Sequence, residues 1–164
     1  MAPMVEVILR VIEAGDLPSL TGGDSEFDDW GPQTALAEVV PGRLDENGGL
    51  AALADGDLAG FVSWHFVQWG PGTASRCPNI GIWLIGAQRG KGVGAAAQRQ
   101  LAELFFAHTA LNRVDATTDV ENIAEQRALE RAGFTRDGRI RGSQWRAGAY
   151  HDMYLYSVLR GDLA

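Results

Sequence analysis

Apolar and polar residues alternate in Val5-Glu6-Val7-Ile8-Leu9-Arg10-Val11, and this period of two predicts a first strand. Asp16-Leu17-Pro18 sets a capping residue ahead of proline, which predicts a short helix start. Over residues 21–32 periodicity is lost, and a loop or lid is expected. Residues 50–54 and 58–68 are apolar runs on either side of Asp55-Gly56, a hairpin signal, and Trp69-Gly70-Pro71-Gly72 ends the second run. The nearly continuous apolar run at 79–85 reads as a buried central strand. Val93, Ala97, Leu101, Leu104 and Phe105 recur at helical spacing and predict a helix over 92–108. A strand at 113–118 follows, parallel to 79–85 by the right-handed crossover rule. A helix over 122–132 stops at Gly133, and residues 134–140 and 149–159 pair as the last two strands. The order is that of a mixed α/β (α+β) domain spanning residues 1–164.

Composition narrows the setting. With 46% hydrophobic residues in 164, the chain can bury a core as one domain. The lone Cys77 cannot form an internal disulfide, and the N-terminal alternation differs from a signal peptide, so a reducing cytoplasm is expected. No apolar stretch is long enough to predict a membrane span. A net charge of −7 argues against nucleic acid as a partner. Locally the sign reverses: from residue 86 to 102 the only charged residues are Arg89, Lys91 and Arg99. The segment Asp24-Ser25-Glu26-Phe27-Asp28-Asp29-Trp30 is its opposite, four acids with two aromatics, suited to a cationic amine.

The basic island holds Arg89-Gly90-Lys91-Gly92-Val93-Gly94, a glycine-rich turn between an apolar strand and a helix start. Glycines let backbone N–H groups approach a ligand, and the helix N-terminus adds free donors and partial positive charge. A diphosphate suits that chemistry. Walker spacing fails, because three residues rather than four separate Gly86 and Gly90 and no Lys-Ser/Thr follows. The dinucleotide fingerprint also fails, because the glycines fall as G-x-G-x-G, late in the chain.

The string does fit Arg/Gln-x-x-Gly-x-Gly/Ala, with Arg89, Gly92 and Gly94 in the fixed places, and here the chain resembles the GNAT superfamily of acyl-CoA-dependent N-acyltransferases. The block from Asn122 to Gly133-Phe134 is similar to a second motif of that superfamily, and Tyr150 to Arg160 is similar to the closing strand of its RimJ/RimL-like branch. The resemblance implies a mostly antiparallel central sheet flanked by helices, with a splayed parallel pair at 79–85 and 113–118. It implies acetyl-CoA, or another acyl-CoA, as co-substrate, and a primary amine of a small molecule or peptide N-terminus as acceptor. Backbone groups of Trp83, Leu84 and Ile85 would meet the pantetheine arm. Those of Gly90, Lys91, Gly92, Val93 and Gly94, with the side chains of Arg89 and Lys91, would hold the diphosphate. Asn122 would reach the arm beside the sulfur or simply cap its helix, and Arg127 and Arg131 would face the adenosine phosphates or solvent. A homodimer is a further implication.

For the chemistry, the tyrosine many members carry seven residues after the asparagine is replaced by Leu129, and the serine common three residues after it is replaced by Glu125. Glu125 is therefore a candidate acid if its pKa is raised, a candidate base, or a surface glutamate bridging Arg131. His65 and His151 are the other titratable candidates, each also readable as a packed strand residue. Asp28, Asp29 and Trp30, with Trp64 and His65, are candidates for the acceptor side. No metal-ligand spacing or nucleophile elbow is present, so direct attack in a ternary complex is expected. A silent CoA-binding module, and an interaction domain using Trp30, Trp69 and Trp145, are the rival readings.

Overall fold

The structure, a computed structural model, describes residues 4–30, 36 and 38–163. The predicted lid at 21–32 is thus described only as far as Trp30, and its last two positions lie outside the described residues.

Strands β1 (Val7–Arg10), β2 (Gly48–Ala54), β3 (Asp57–Gln68), β4 (Arg76–Leu84), β5 (Arg113–Asp119), β6 (Thr135–Arg146) and β7 (Ala149–Leu159) form one sheet, with helices α1 (Val93–His108) and α2 (Ile123–Ala132). The spatial order is β1-β2-β3-β4-β5-β7-β6. Every neighbouring pair is antiparallel except β4 with β5, whose α1 crossover requires the parallel arrangement.

Strand alternation sorts β3 into two faces. Val62 and Trp64 point into the core under the helices, where Trp64 meets Phe105 edge-on at 5.4 Å. Val93, Ala97, Leu101 and Phe105 of α1 are buried there with Val114, Leu129 and Tyr156. Burial of a side chain such as Phe105 contributes about 1.5–3 kcal/mol. On the other face a smaller cluster, Ile12, Leu20, Ala51 and Trp83, packs with Leu17, Leu36, Val40 and Phe61. The sheet is therefore covered by helices on one side and by irregular chain on the other.

Two sequence expectations change. Asp16 sits inside the 3-10 segment Ala14–Ser19, accepting from Glu13 N and pairing with Arg10, instead of preceding a helix. Strand β6 runs to Arg146 instead of ending at residue 140. Register shifts at Arg136/Gly138 and Ile140/Gln144 break the period of two that would have revealed its length.

Candidate active site

Strands β4 and β5 pair only at Asn79↔Asp115 and Ile80↔Ala116. Beyond these pairs β4 continues to Leu84 and β5 to Asp119, and the strands diverge into a wedge at their C-terminal ends. Ile85 N donates to Ala59 O at 2.8 Å, and a Cβ on Gly60 would strike the Trp83 carbonyl, so Trp83 and Ile85 turn their main chain toward β3. Alternation turns Leu84 toward the wedge, and its carbonyl accepts from Arg89 Nε at 3.0 Å. Of the three residues expected to offer backbone there, Leu84 is the one that faces the gap.

The turn after β4 leads into α1. Gly90 and Gly92 have φ of 74° and 84°, the left-handed region, and nothing lies within 4 Å of a Cβ built on either. Gly92 occupies the N-cap of α1 and supplies no side-chain cap, so the first N–H groups of the helix are open. Helix α2 is the contrast: Asn122 caps it, its Oδ1 accepting from Glu125 N at 3.2 Å. An exposed, uncapped helix start behind a left-handed turn is a cradle for an anion. Gly94 lies against Leu84, Ile82 and Ala128, where a Cβ would make ordinary contacts of 3.7–3.9 Å, so β4, α1 and α2 converge at the wedge.

Arg89 does not stand open to a ligand. Its Nη2 bonds Asp24 Oδ1 at 2.6 Å, and the same oxygen accepts from Trp83 Nε1 at 3.2 Å. The Arg89 bond, foremost, holds the Asp24 carboxyl below its ordinary pKa. Lys91, Arg127 and Arg131 are exposed.

Glu125 lies in the first turn of α2, partly buried, with its carboxyl against the Gln98 carboxamide of α1. Burial pushes its pKa up to about 7, opposed by the Gln98 hydrogen bond. No salt bridge to Arg131 forms among the described residues, which removes the surface-pair reading. Gln98 is almost fully buried, donates from Nε2 to Gly94 O at 3.2 Å, and leaves Oε1 without a partner.

On the opposite face of the sheet a cavity of about 550 Å³ is lined by Asp28, Trp30, Glu38, Ser63, Gly81 and Trp83, among others. Ser63 and Gly81 are cross-strand partners, and His65, paired with Asn79, follows Ser63 on the same face. Trp64 points the other way into the helix-side core, its Nε1 donating to Glu46 O at 2.7 Å, and so does not reach this cavity. Asp29 touches the hairpin tip, its carbonyl accepting from Ala147 N at 2.8 Å. His151 lies beside Asp119 at the end of β5, its Nδ1 3.7 Å from Asp119 Oδ2, with both ring nitrogens also beside Arg146. Ser63, Gly81, Glu38 and Gln98 escaped the sequence reading. The period of two along β3 and β4 was the one signal that pointed to Ser63 and Gly81.

Cys77 is buried, and its thiol is pushed up to about 12, by burial first and then by Asp115. It is no thiolate nucleophile. No helix among the described residues is long and apolar enough to cross a membrane, and no group of three acidic, histidine or cysteine side chains among them could hold a metal ion.

The acetyltransferase (GNAT) domain model matches residues 6–135. The chain belongs to the GNAT acetyltransferase family. Among its GNAT relatives, the Bacillus subtilis protein "Putative ribosomal N-acetyltransferase YdaF" is 35% identical over 71% of this chain. The match spans 62% of YdaF's length, so this chain covers about three fifths of that relative. The Vibrio cholerae spermidine N-acetyltransferase, solved with CoA and spermine, has the same fold with a TM-score of 0.76 at 18% identity, over 96% of this chain and 97% of that one. RimL, the ribosomal L7/L12 α-N-protein acetyltransferase solved with coenzyme A, gives 0.70 at 19% identity over 93% of each chain. These two solved structures share the fold of this chain.

Proposed function

We propose that this GNAT domain transfers the acetyl group of acetyl-CoA to a primary amine of a small molecule or of a peptide N-terminus, in a ternary complex. The observation that carries the reading is the uncapped start of α1 at the mouth of the β4–β5 wedge. Leu84 offers strand edge to the pantetheine arm, and the amides around Gly92 with Lys91 hold the diphosphate. When bound, acetyl-CoA supplies a thioester carbonyl as electrophile and a thiolate as leaving group.

The chain's residues meet the needs of that transfer from two sides. Asp28 and Glu38 at the cavity on the far face draw a protonated amine toward Gly81 and Ser63. The amine must lose a proton to attack, and His65 stands on the same face to take it through solvent. Glu125, its pKa pushed up to about 7 by burial, holds a proton beside Gln98 for the departing sulfur. The carbon–nitrogen bond forms as the carbon–sulfur bond breaks, the amine proton leaves toward His65, and the thiol gains the Glu125 proton. A buried thiol that stays protonated favours direct attack over an acyl-cysteine route.

Calorimetry with acetyl-CoA, then thiol release with spermidine and tetra-alanine as amine probes, tests the reading. Micromolar binding and amine-dependent release are expected, with Gly92→Val abolishing both. Absence of heat with both coenzyme A and acetyl-CoA overturns it. Tight binding without release for any amine points to the binding-module alternative.

A further inference from the structure

The segment 24–30, which carries Asp28 and Trp30 to the acceptor cavity, is gripped at two points by arginines distant in sequence. Asp24 holds Arg89. At the second point Arg146 Nη1 donates to Glu26 O at 2.6 Å, and the guanidinium lies over the Phe27 ring at 5.2 Å from its centroid. Ala147 N adds the bond to Asp29 O.

Arg146 ends β6 and is 5% exposed. Its Nη2 meets Asp119 Oδ2 at 2.6 Å, at the end of β5, where Asp119 Oδ1 also accepts from Glu121 N at 2.8 Å. His151 braces the arrangement. Its Nε2 faces the Arg146 carbonyl at 2.9 Å and so carries the hydrogen, which leaves Nδ1 to accept from Nη2 at 3.2 Å. Removing two charges from water costs about as much as their attraction returns, so such a pair adds little net stability over an apolar one. What it does fix is direction, because a guanidinium with several acceptors has one orientation that satisfies them.

We propose that Arg146 is a positioning residue for acceptor binding: anchored to Asp119 at the end of β5, it fixes the 26–29 main chain and thereby sets Asp28 and Trp30 over the cavity. It does not itself line that cavity. The assignment rests on the acceptor reading of the cavity given above, and it concerns the amine side alone, since Arg146 contacts neither Leu84 nor the α1 turn.

Three variants test it: Arg146→Met, Arg146→Lys, and the double variant Arg146→Met with Asp119→Asn, which leaves no orphaned buried carboxylate if the single variant fails to fold. With spermidine or tetra-alanine as probe, Arg146→Met raises the amine KM about tenfold or more while kcat stays within about threefold, and Arg146→Lys recovers part of the loss. The acetyl-CoA dissociation constant by calorimetry stays at the wild-type value. Amide exchange at Trp30 and Ala147 accelerates about tenfold or more, with α1 and α2 unchanged. Wild-type amine KM together with wild-type exchange over 26–30 overturns the proposal, as does an equal loss of acetyl-CoA affinity. If the wild-type enzyme turns over neither amine, the acetyl-transfer reading has failed, and exchange at 26–30 decides the role of Arg146 separately: unchanged exchange refutes it.

Discussion

The two arginine grips on the 24–30 segment are built oppositely. Arg89 and Asp24 pair in the open, with side chains 38% and 44% exposed. Arg146 and Asp119 pair in the interior, with side chains 6% and 3% exposed. In water an ion pair is exchangeable, and a ligand anion can compete for its cation at little cost. A buried pair cannot be exchanged without stranding a charge. The molecule thus places its replaceable contact beside the turn proposed to hold the diphosphate and its permanent one at the far end of the same segment.

The sharpest break in this comparison comes from stability. Arg146→Met should cost about 3–5 kcal/mol in urea unfolding because it strands Asp119, whereas Arg89→Met should cost less than about 1 kcal/mol. Equal losses would remove the distinction.

A smaller effect follows from Glu125, which is partly buried with no cation paired to it among the described residues. Its folded pKa lies above the ordinary 4.5, so the contribution of its neutral form is complete below pH 4.5 and is lost as pH rises through about 7. Glu125→Gln should therefore gain on the wild type by about 1 kcal/mol between pH 6 and pH 8 in parallel denaturation curves. The same variant should lower kcat by about 100-fold at pH 7 if the carboxyl donates to the leaving sulfur. A flat stability difference across that pH range contradicts the burial argument.

The smallest expected effect sharpens the exposed side. Asp24→Asn releases Arg89 and should tighten coenzyme A binding about two- to fivefold at low salt, an advantage that fades by about 0.5 M salt. Calorimetry at two ionic strengths checks it, and weaker binding would mean that Asp24 instead orients Arg89 for the ligand.

The cradle was legible because its parts are contiguous: residues 86–94 encode their own turn, the glycines and the helix start present backbone N–H groups, and the Lys91 side chain adds a charge beside them. The same locality exposed the Asn122 cap and the Gly133 stop. The cavity proposed for the acceptor was legible only at Asp28 and Trp30, since it joins residues such as Leu20, Glu38 and Val40 to Ser63 and Gly81 across two strands. Trp64 and His65 were grouped as acceptor residues, yet adjacent strand positions point to opposite faces and cannot share one pocket wall. Arg146 was missed because two register shifts conceal the strand that carries it, and its carboxylate lies 27 positions away. Glu125 was found by its place in a motif, but its contact with Gln98 joins two helices and is not visible in either segment alone.

Within the sheet plane, two residue pairs are all that stitch the four N-terminal strands to the three C-terminal ones. The chain leaves this seam unfinished, and a bound arm lying along Leu84 would complete it with its own amides. Capture of the coenzyme would then be the last act of sheet formation, with the groups that recognise the ligand also serving as the missing rungs between the halves of the molecule.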